Sequence, residues 1–267
     1  MEGLIKLPPL RAVVIGSGNV ASALAPALEE AGAIEVMTVC SPTLSHAEEL
    51  AGKLHGAVAV NDLSLIPAAA QLYLVSVTDD ALADVAAKAP RAAGAVWLHT
   101  SGGVDASVLS PLSPNYGVLY PLQTFSKGRH TDFNTIPVFV EGATVEALDV
   151  AERLGEALSE DVRVADGDTR RKLHAAAVFA CNFTNHMYAI ASDILRREAD
   201  ADLSVLRPLL EETLAKALSM PPADAQTGPA RRRDTRVMER HMALIQPDEA
   251  YLYKILSDSI MKRYEQH

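Results

Sequence analysis

The stretch Arg11-Ala-Val-Val-Ile-Gly16-Ser17-Gly18-Asn19-Val20-Ala21 decides how the chain is read: an apolar run, then G-x-G-x-x-A, then an Ala/Leu-rich segment. An apolar run entering such a turn predicts a buried parallel strand that passes through a tight glycine corner into a helix. Gly16 permits the corner, Gly18 lets the backbone approach a pyrophosphate, and Ala21 stands where helix and strand pack closely. The anion would rest on the free N–H groups of Ser17, Gly18, Asn19 and Val20 at the positive end of the helix dipole. Pro26 removes one hydrogen bond inside that helix and is expected to bend or weaken it. An S-adenosylmethionine-binding domain uses a similar turn, but the long helices of the second half argue against it.

Outward from this unit, β-branched runs alternate with helical segments. Strands are predicted at 11–15, 34–40, 57–60, 72–77, 95–99, 117–120, 137–141 and 162–164, with helices at 19–31, 45–54, 80–89 and 144–158. This is the pattern of a doubly wound, mostly parallel α/β sheet. From Asp168 onward the periodicity is helical, with helices predicted at 168–197, 203–218, 235–245 and 249–264. The chain therefore divides into a Rossmann-like dinucleotide-binding domain, 1–166, and an all-α domain, 167–267, for substrate binding and dimerisation.

Three further loops follow strand ends, where ligands bind in open α/β sheets. Ser41 and Thr43 end the second strand without the carboxylate that would accept a ribose 2′-OH. Small hydroxyl side chains leave room for a 2′-phosphate, with His46 or Lys53 as counter-charge, which favours NADP over NAD. Val77 and Thr78 would run beside the dinucleotide, with Asp79 or Asp80 capping the next helix. His99-Thr100-Ser101-Gly102-Gly103 sets hydroxyls and backbone donors near a nicotinamide ring, with His99 toward the cofactor and Ser101 toward the reacting group.

At 100° per residue His174, Val178, Cys181 and Asn185 share a stripe of the long helix with Asn182 on its flank, whereas Lys172 points nearly the opposite way. His174 is the candidate proton donor, and Asn182 and Asn185 are candidates to orient a carbonyl. Arg231 and Arg233, in a cluster with Arg232, Arg236 and Arg240, suit the grip of an anionic substrate or a cofactor phosphate.

Composition sets the limits. The chain has 267 residues, 49% hydrophobic and 22% charged, ample for a core and unlike disordered or fibrous sequences. Its net charge of −10 is uneven: residues 1–166 carry 9 Lys and Arg against 20 Asp and Glu, a net of −11, and the remainder carries 15 against 14, a net of +1. An acidic surface disfavours nucleic acid and anionic lipid as partners. The two cysteines, Cys40 and Cys181, suggest neither a disulfide framework nor a thiolate metal site, so no metal is expected. Met1–Leu10 lacks the apolar core of a leader, and no apolar run is of membrane-spanning length, so a cytoplasmic location is expected.

The ordered motifs Gly16-Ser-Gly-Asn, His99-Thr-Ser-Gly, Tyr120-Pro-Leu-Gln123-Thr124-Phe125-Ser126, Leu173-His174 through Asn182-Phe, Thr227-Gly-Pro229, Arg233-Asp234 and His241 resemble a bacterial family that pairs a Rossmann-like domain with a helical C-terminal domain of unknown function. Its members are labelled NADP- or deazaflavin-dependent oxidoreductases. They are similar in layout to pyrroline-5-carboxylate reductase, ketopantoate reductase and the β-hydroxyacid dehydrogenases, with a second domain like the C-terminal domain of 6-phosphogluconate dehydrogenase. The resemblance implies NADP as cofactor, with NAD or reduced deazaflavin as alternatives, a homodimer joined through the helical domain, and a small-molecule substrate beside Gln123 and Thr124. This chain departs from its relatives at Tyr120, where they usually have His, and at Pro42, where they often have Arg. It also lacks the Lys-x-x-x-Asn pair of the β-hydroxyacid dehydrogenases, since Lys172 is followed four residues later by Ala176. Two functions fit these observations: an NAD(P)-dependent oxidoreductase acting on a small, anionic C=O or C=N compound, and a dinucleotide-binding sensor without catalysis.

Overall fold

The computed structural model describes residues 8–265, so most of the N-terminal stretch expected to lack the apolar core of a leader lies outside it. The first strand, β1 (Leu10–Ile15), runs into α1 (Asn19–Glu30), and β2 (Ile34–Cys40), α2 (Leu44–Ala51), β3 (Val58–Val60), β4 (Leu72–Val75), α3 (Asp79–Lys88) and β5 (Val96–His99) follow. Then come β6 (Tyr116–Pro121), β7 (Val138–Gly142), α4 (Val145–Glu156) and β8 (Val162–Val164). They form one eight-stranded sheet in the order β3-β2-β1-β4-β5-β6-β7-β8. Every neighbouring pair is parallel except β6 with β7. This is the doubly wound, parallel-dominated sheet that the alternating pattern predicts.

Alternation along the strands distributes two cores. Ala12 and Val14 of β1 pack with Leu24 and Leu28 of α1, Leu50 of α2 and Leu154 of α4 on one face. Val13 and Ile15 pack on the other with Leu82 and Val85 of α3 and with Tyr73 and Trp97, whose rings stack at 3.9 Å. With helices on both faces the inner strands are dry throughout, hence their continuous apolar runs. The α1 helix continues through Pro26, because Leu24, Ala25 and Leu28 are fully buried and hold the turn that the missing hydrogen bond would free. The order of strands reverses between β1 and β4, so loops at their carboxyl ends open a crevice there.

A continuous helical run follows: α5 (Gly167–Ala177), a π-helical stretch over Val178–Phe183, and α6 (Thr184–Glu198). After it come α7 (Arg207–Ser219), α8 (Pro222–Ala225), α9 (Thr235–Met242) and α10 (Pro247–Arg263). The chain splits into two compact units within this run, residues 1–178 and residues 179–267. The α5 helix belongs with the sheet because Arg170 is fully buried, its Nη1 paired with Glu141 of β7 and its Nη2 donating to the Val104 carbonyl at 2.7 Å. Among the described residues no helix is long and apolar enough to cross a membrane, and no cluster of His, Cys, Asp and Glu could hold a metal ion.

Candidate functional site

Gly16 makes the corner after β1 at φ +110°, and a Cβ there would lie 2.0 Å from the Ser76 carbonyl oxygen. The close approach follows from the hydrogen bond of Ser76 N–H to the Ile15 carbonyl at 2.7 Å, which draws the ends of β1 and β4 together. Ser17 donates to Ser41 Oγ at 2.9 Å, both buried, so the glycine corner is joined to the end of β2. Gly18 is the N-cap of α1 and supplies no side-chain cap, the first turn has no acid, and a Cβ on Gly18 would meet no atom within 4 Å. Unpaired N–H groups, a positive helix end and open space together suit a phosphate.

At the end of β2 Ser41 is buried and Thr43 is the exposed N-cap of α2, again with no side-chain cap. Lys53 pairs with Glu49 at 3.2 Å, and Lys127 reaches the same carboxylate at 3.1 Å. Of the two counter-charges considered for a 2′-phosphate, Lys53 is therefore engaged and His46 is exposed. At the end of β4 Val77 is half-buried and Thr78 is the N-cap of α3. Asp79 and Asp80 do not cap: they form the first helical turn, where their charge complements the dipole.

The loop after β5 is organised from within. His99 is fully buried, and its Nδ1 accepts from Ser101 N–H at 3.1 Å. Burial, assisted by the Arg170 guanidinium, pushes its pKa down to about 4, so the ring is neutral and carries its proton on Nε2. Among the described residues that Nε2 has no hydrogen-bond partner. Ser101 Oγ accepts from Gly103 N–H at 3.0 Å and from Val104 N–H at 3.1 Å, which leaves its own O–H free to donate. Asp79 approaches the same loop, its Oδ2 lying 3.0 Å from where a Gly103 Cβ would be.

Tyr120, near the end of β6, is buried at 9% exposure, and its Oη lies 3.0 Å from Nδ1 of half-buried His174 on α5. Burial pushes the phenol up, with Arg170 pulling the other way. Gly102 closes against this pair, since a Cβ there would fall 2.6 Å from Tyr120 Cζ and 2.9 Å from His174 Nδ1. Gln123 and Thr124 lie just beyond β6, exposed, with Gln123 Oε1 accepting from Thr124 N–H at 2.7 Å. The loops after the strands of one unit thus carry Gly16, Ser17, Gly18, Ser101, Gln123 and Thr124, and His174 of α5 reaches the loop of Ser101 at Gly102.

Asn182, Asn185, Arg231 and Arg233 belong to the second unit. Asn182 lies in the π-helical stretch and Asn185 in α6, both exposed. A π turn carries more residues than an α turn, so the constant 100° stripe drawn from His174 to Asn185 ends at Ala177. The Arg231 guanidinium stacks 4.1 Å from the Tyr264 ring centroid. Arg233 pairs with Glu265 at 3.1 Å from a left-handed backbone, φ +57°. Such a conformation is costly for a non-glycine residue and is concentrated at functional sites.

Residues 1–123 match the family model of a Rossmann-like domain, and residues 136–260 match DUF2520, a domain of unknown function. A Bacteroides fragilis protein of known structure, described as a "putative NADP oxidoreductase", is 39% identical over 95% of this chain and 98% of its own, with a TM-score of 0.89. The chain belongs to the family that joins a Rossmann-like domain to DUF2520. A Thermotoga maritima protein (20% identity, 96% and 98% coverage, TM-score 0.67) shares the fold of this Rossmann–DUF2520 chain. So does a reductive aminase from Aspergillus terreus, solved with NADPH and ethyl-5-oxohexanoate (15% identity, 96% and 94% coverage, TM-score 0.69). A comparison with curated proteins found no match.

In this Rossmann–DUF2520 chain two contacts beside the site leave no mark in the sequence. Arg170 and Glu141 are 29 positions apart and meet only through the fold, and no spacing rule announces that pairing. Tyr120 was visible as a departure from the family pattern, but its partnership with His174 was not.

Proposed function

We propose that the chain is an NADP-dependent oxidoreductase that moves a hydride between the nicotinamide and the C=O or C=N carbon of a small, anionic molecule. The observation that carries the cofactor half is the glycine corner, where a locked Gly16 presents the uncapped head of α1 beside an open Gly18. Ser41 and Thr43 in place of a carboxylate favour the 2′-phosphate, and the Bacteroides relative's description agrees. NADPH, when bound, supplies the hydride. Gly16 to Val20 would hold its pyrophosphate, Ser41 and Thr43 its 2′-phosphate, and Val77, Thr78 and the His99 loop would flank the nicotinamide half. Ser101 keeps a free O–H to orient the reacting carbonyl or imine, His174 delivers the proton, and Gln123 and Thr124 position the substrate. Within the helical unit, Arg231 and Arg233 offer guanidinium groups suited to an anion, and Asn182 and Asn185 offer amides suited to a carbonyl. A cytoplasmic homodimer joined through that unit accounts for its exposed apolar side chains, among them Phe179, Leu209, Leu214 and Leu218.

A thermal-shift panel with NADP, NADPH, NAD, NADH and reduced deazaflavin tests the cofactor. A ligand at a hundred times its Kd adds about 2.7 kcal/mol. The expected order puts NADPH first, and no shift with any member of the panel refutes the assignment. Loss of NADPH absorbance with 2-keto acids, hydroxy acids in reverse and cyclic imines then tests turnover. Binding of NADPH with no turnover across that panel supports the sensor in place of the enzyme.

A further inference from the structure

His174 can offer a proton from either ring nitrogen, and its surroundings distinguish the two. Tyr120 Oη is 3.0 Å from Nδ1, and the rings meet edge to face with centroids 6.0 Å apart at 67°. A buried phenol needs a hydrogen-bond partner, and among the described residues Nδ1 is the one Tyr120 has. The phenol keeps its proton at neutral pH, a tendency its burial strengthens, so it donates to the unprotonated Nδ1. The Gly102 backbone presses on the same contact, where a Cβ would fall 2.8 Å from Oη and 2.9 Å from Nδ1. His174 is itself held, because it lies one helical turn beyond Arg170, whose guanidinium is fastened to Glu141 and to the Val104 carbonyl.

We propose that Tyr120 is a positioning residue for His174: its hydroxyl occupies Nδ1, keeps the ring proton on Nε2, and so makes Nε2 the atom that meets the substrate. The proposal rests on the oxidoreductase reading above. When the ring is protonated, Nδ1–H donates to Oη and Nε2–H still points away from the tyrosine. As the carbon receives the hydride and the C=O or C=N π bond breaks, the π electron pair comes to rest on oxygen or nitrogen, which takes the Nε2 proton. The imidazolium is left as imidazole with its remaining proton on Nδ1, where it donates to Oη, and water then restores the proton at Nε2. Tyr120 remains a neutral phenol throughout.

Nitrogen-detected or long-range proton–nitrogen NMR of the full chain labelled with 15N-histidine tests this. The neutral His174 ring of the parent is expected as the Nε2–H tautomer. In Y120F, which keeps the ring and removes the hydroxyl, and in G102A, which wedges the pair apart, it becomes a mixture with Nδ1–H. An Nδ1–H tautomer in the parent, or one unchanged in a folded Y120F, overturns the proposal, and the parent spectrum alone decides if neither variant folds. Adding NADPH should move the parent's His174 Nε2 resonance, which a purely structural tether would not require. An unmoved resonance with NADPH bound, as seen by its own fluorescence, overturns the positioning role while the cofactor reading survives. NADPH that does not bind overturns that reading and this proposal with it.

Discussion

A methyl group added at Gly16 would lie 2.0 Å from the Ser76 carbonyl oxygen on a backbone at φ +110°, whereas one added at Gly18 would meet no atom within 4 Å. Gly16→Ala therefore combines left-handed strain with overpacking and should destabilise the chain by about 3 kcal/mol in urea denaturation. Gly18→Ala should leave stability within about 0.5 kcal/mol of the parent and weaken NADPH binding at least tenfold in a fluorescence titration. Equal NADPH affinity in Gly18→Ala and the parent would mean that the head of α1 is not the phosphate site. His99 carries a pH effect of its own. Its folded pKa of about 4 lies below the value near 6.5 of an unfolded histidine, so the unfolded chain binds the extra proton first as pH falls. Stability is therefore fully present above pH 6.5 and declines toward pH 4, by an amount on the order of 3 kcal/mol. His99→Asn, whose Oδ1 can still accept from Ser101 N–H, should flatten urea midpoints measured between pH 7 and pH 5; a slope as steep as the parent's would assign the effect to another group.

At the scale of elements, α5 is fastened to the sheet by one buried cation. Arg170→Met would leave the Val104 carbonyl without its donor and Glu141, 26% exposed, without its partner. Breaking a buried pair costs about 3–5 kcal/mol, and the partial exposure of Glu141 brings the expected loss to about 2–3 kcal/mol. A loss below about 0.5 kcal/mol, the range of an ordinary surface change, would show that the guanidinium is not what holds the helix. What could be read in advance follows the range of the interactions. The strand Ile34–Cys40 and the outer limits of the long helix are local facts, the latter marked by the Asp166 side chain accepting from Thr169 N–H at 2.8 Å. The glycine corner was legible because strand, turn and helix are contiguous. The π-helical stretch was not, because an i→i+5 ladder leaves no mark in apolar spacing, and the polar stripe drawn across it lost its phase there. Nor was the contact of Tyr120 with His174 legible, since 54 positions separate them and only the packing of α5 on the sheet closes the gap.

Taken over the whole chain, burial is divided unequally. The first unit holds a dense core on each face of its sheet, whereas among residues 179–265 only Ala230, Met238 and Ser257 are buried. Leu218 is 81% exposed, Phe179 72% and Leu209 62%. Helices that expose this many large apolar side chains gain little from folding as a lone chain, and a second copy of the same surface is the simplest partner that can cover them. The parent should therefore run as a dimer in light scattering at micromolar concentration, with a melting temperature that rises with protein concentration. Leu214→Glu combined with Leu218→Glu places two charges one helical turn apart on α7 and should shift that population to monomer. Trp97, the one tryptophan, is buried against Tyr73 in the first unit, so its fluorescence should keep the parent's emission while the helical unit loses helix by circular dichroism. A parent that is monomeric at these concentrations would overturn the dimer, and a double variant that stays dimeric with its helix content intact would move the interface away from this face of α7.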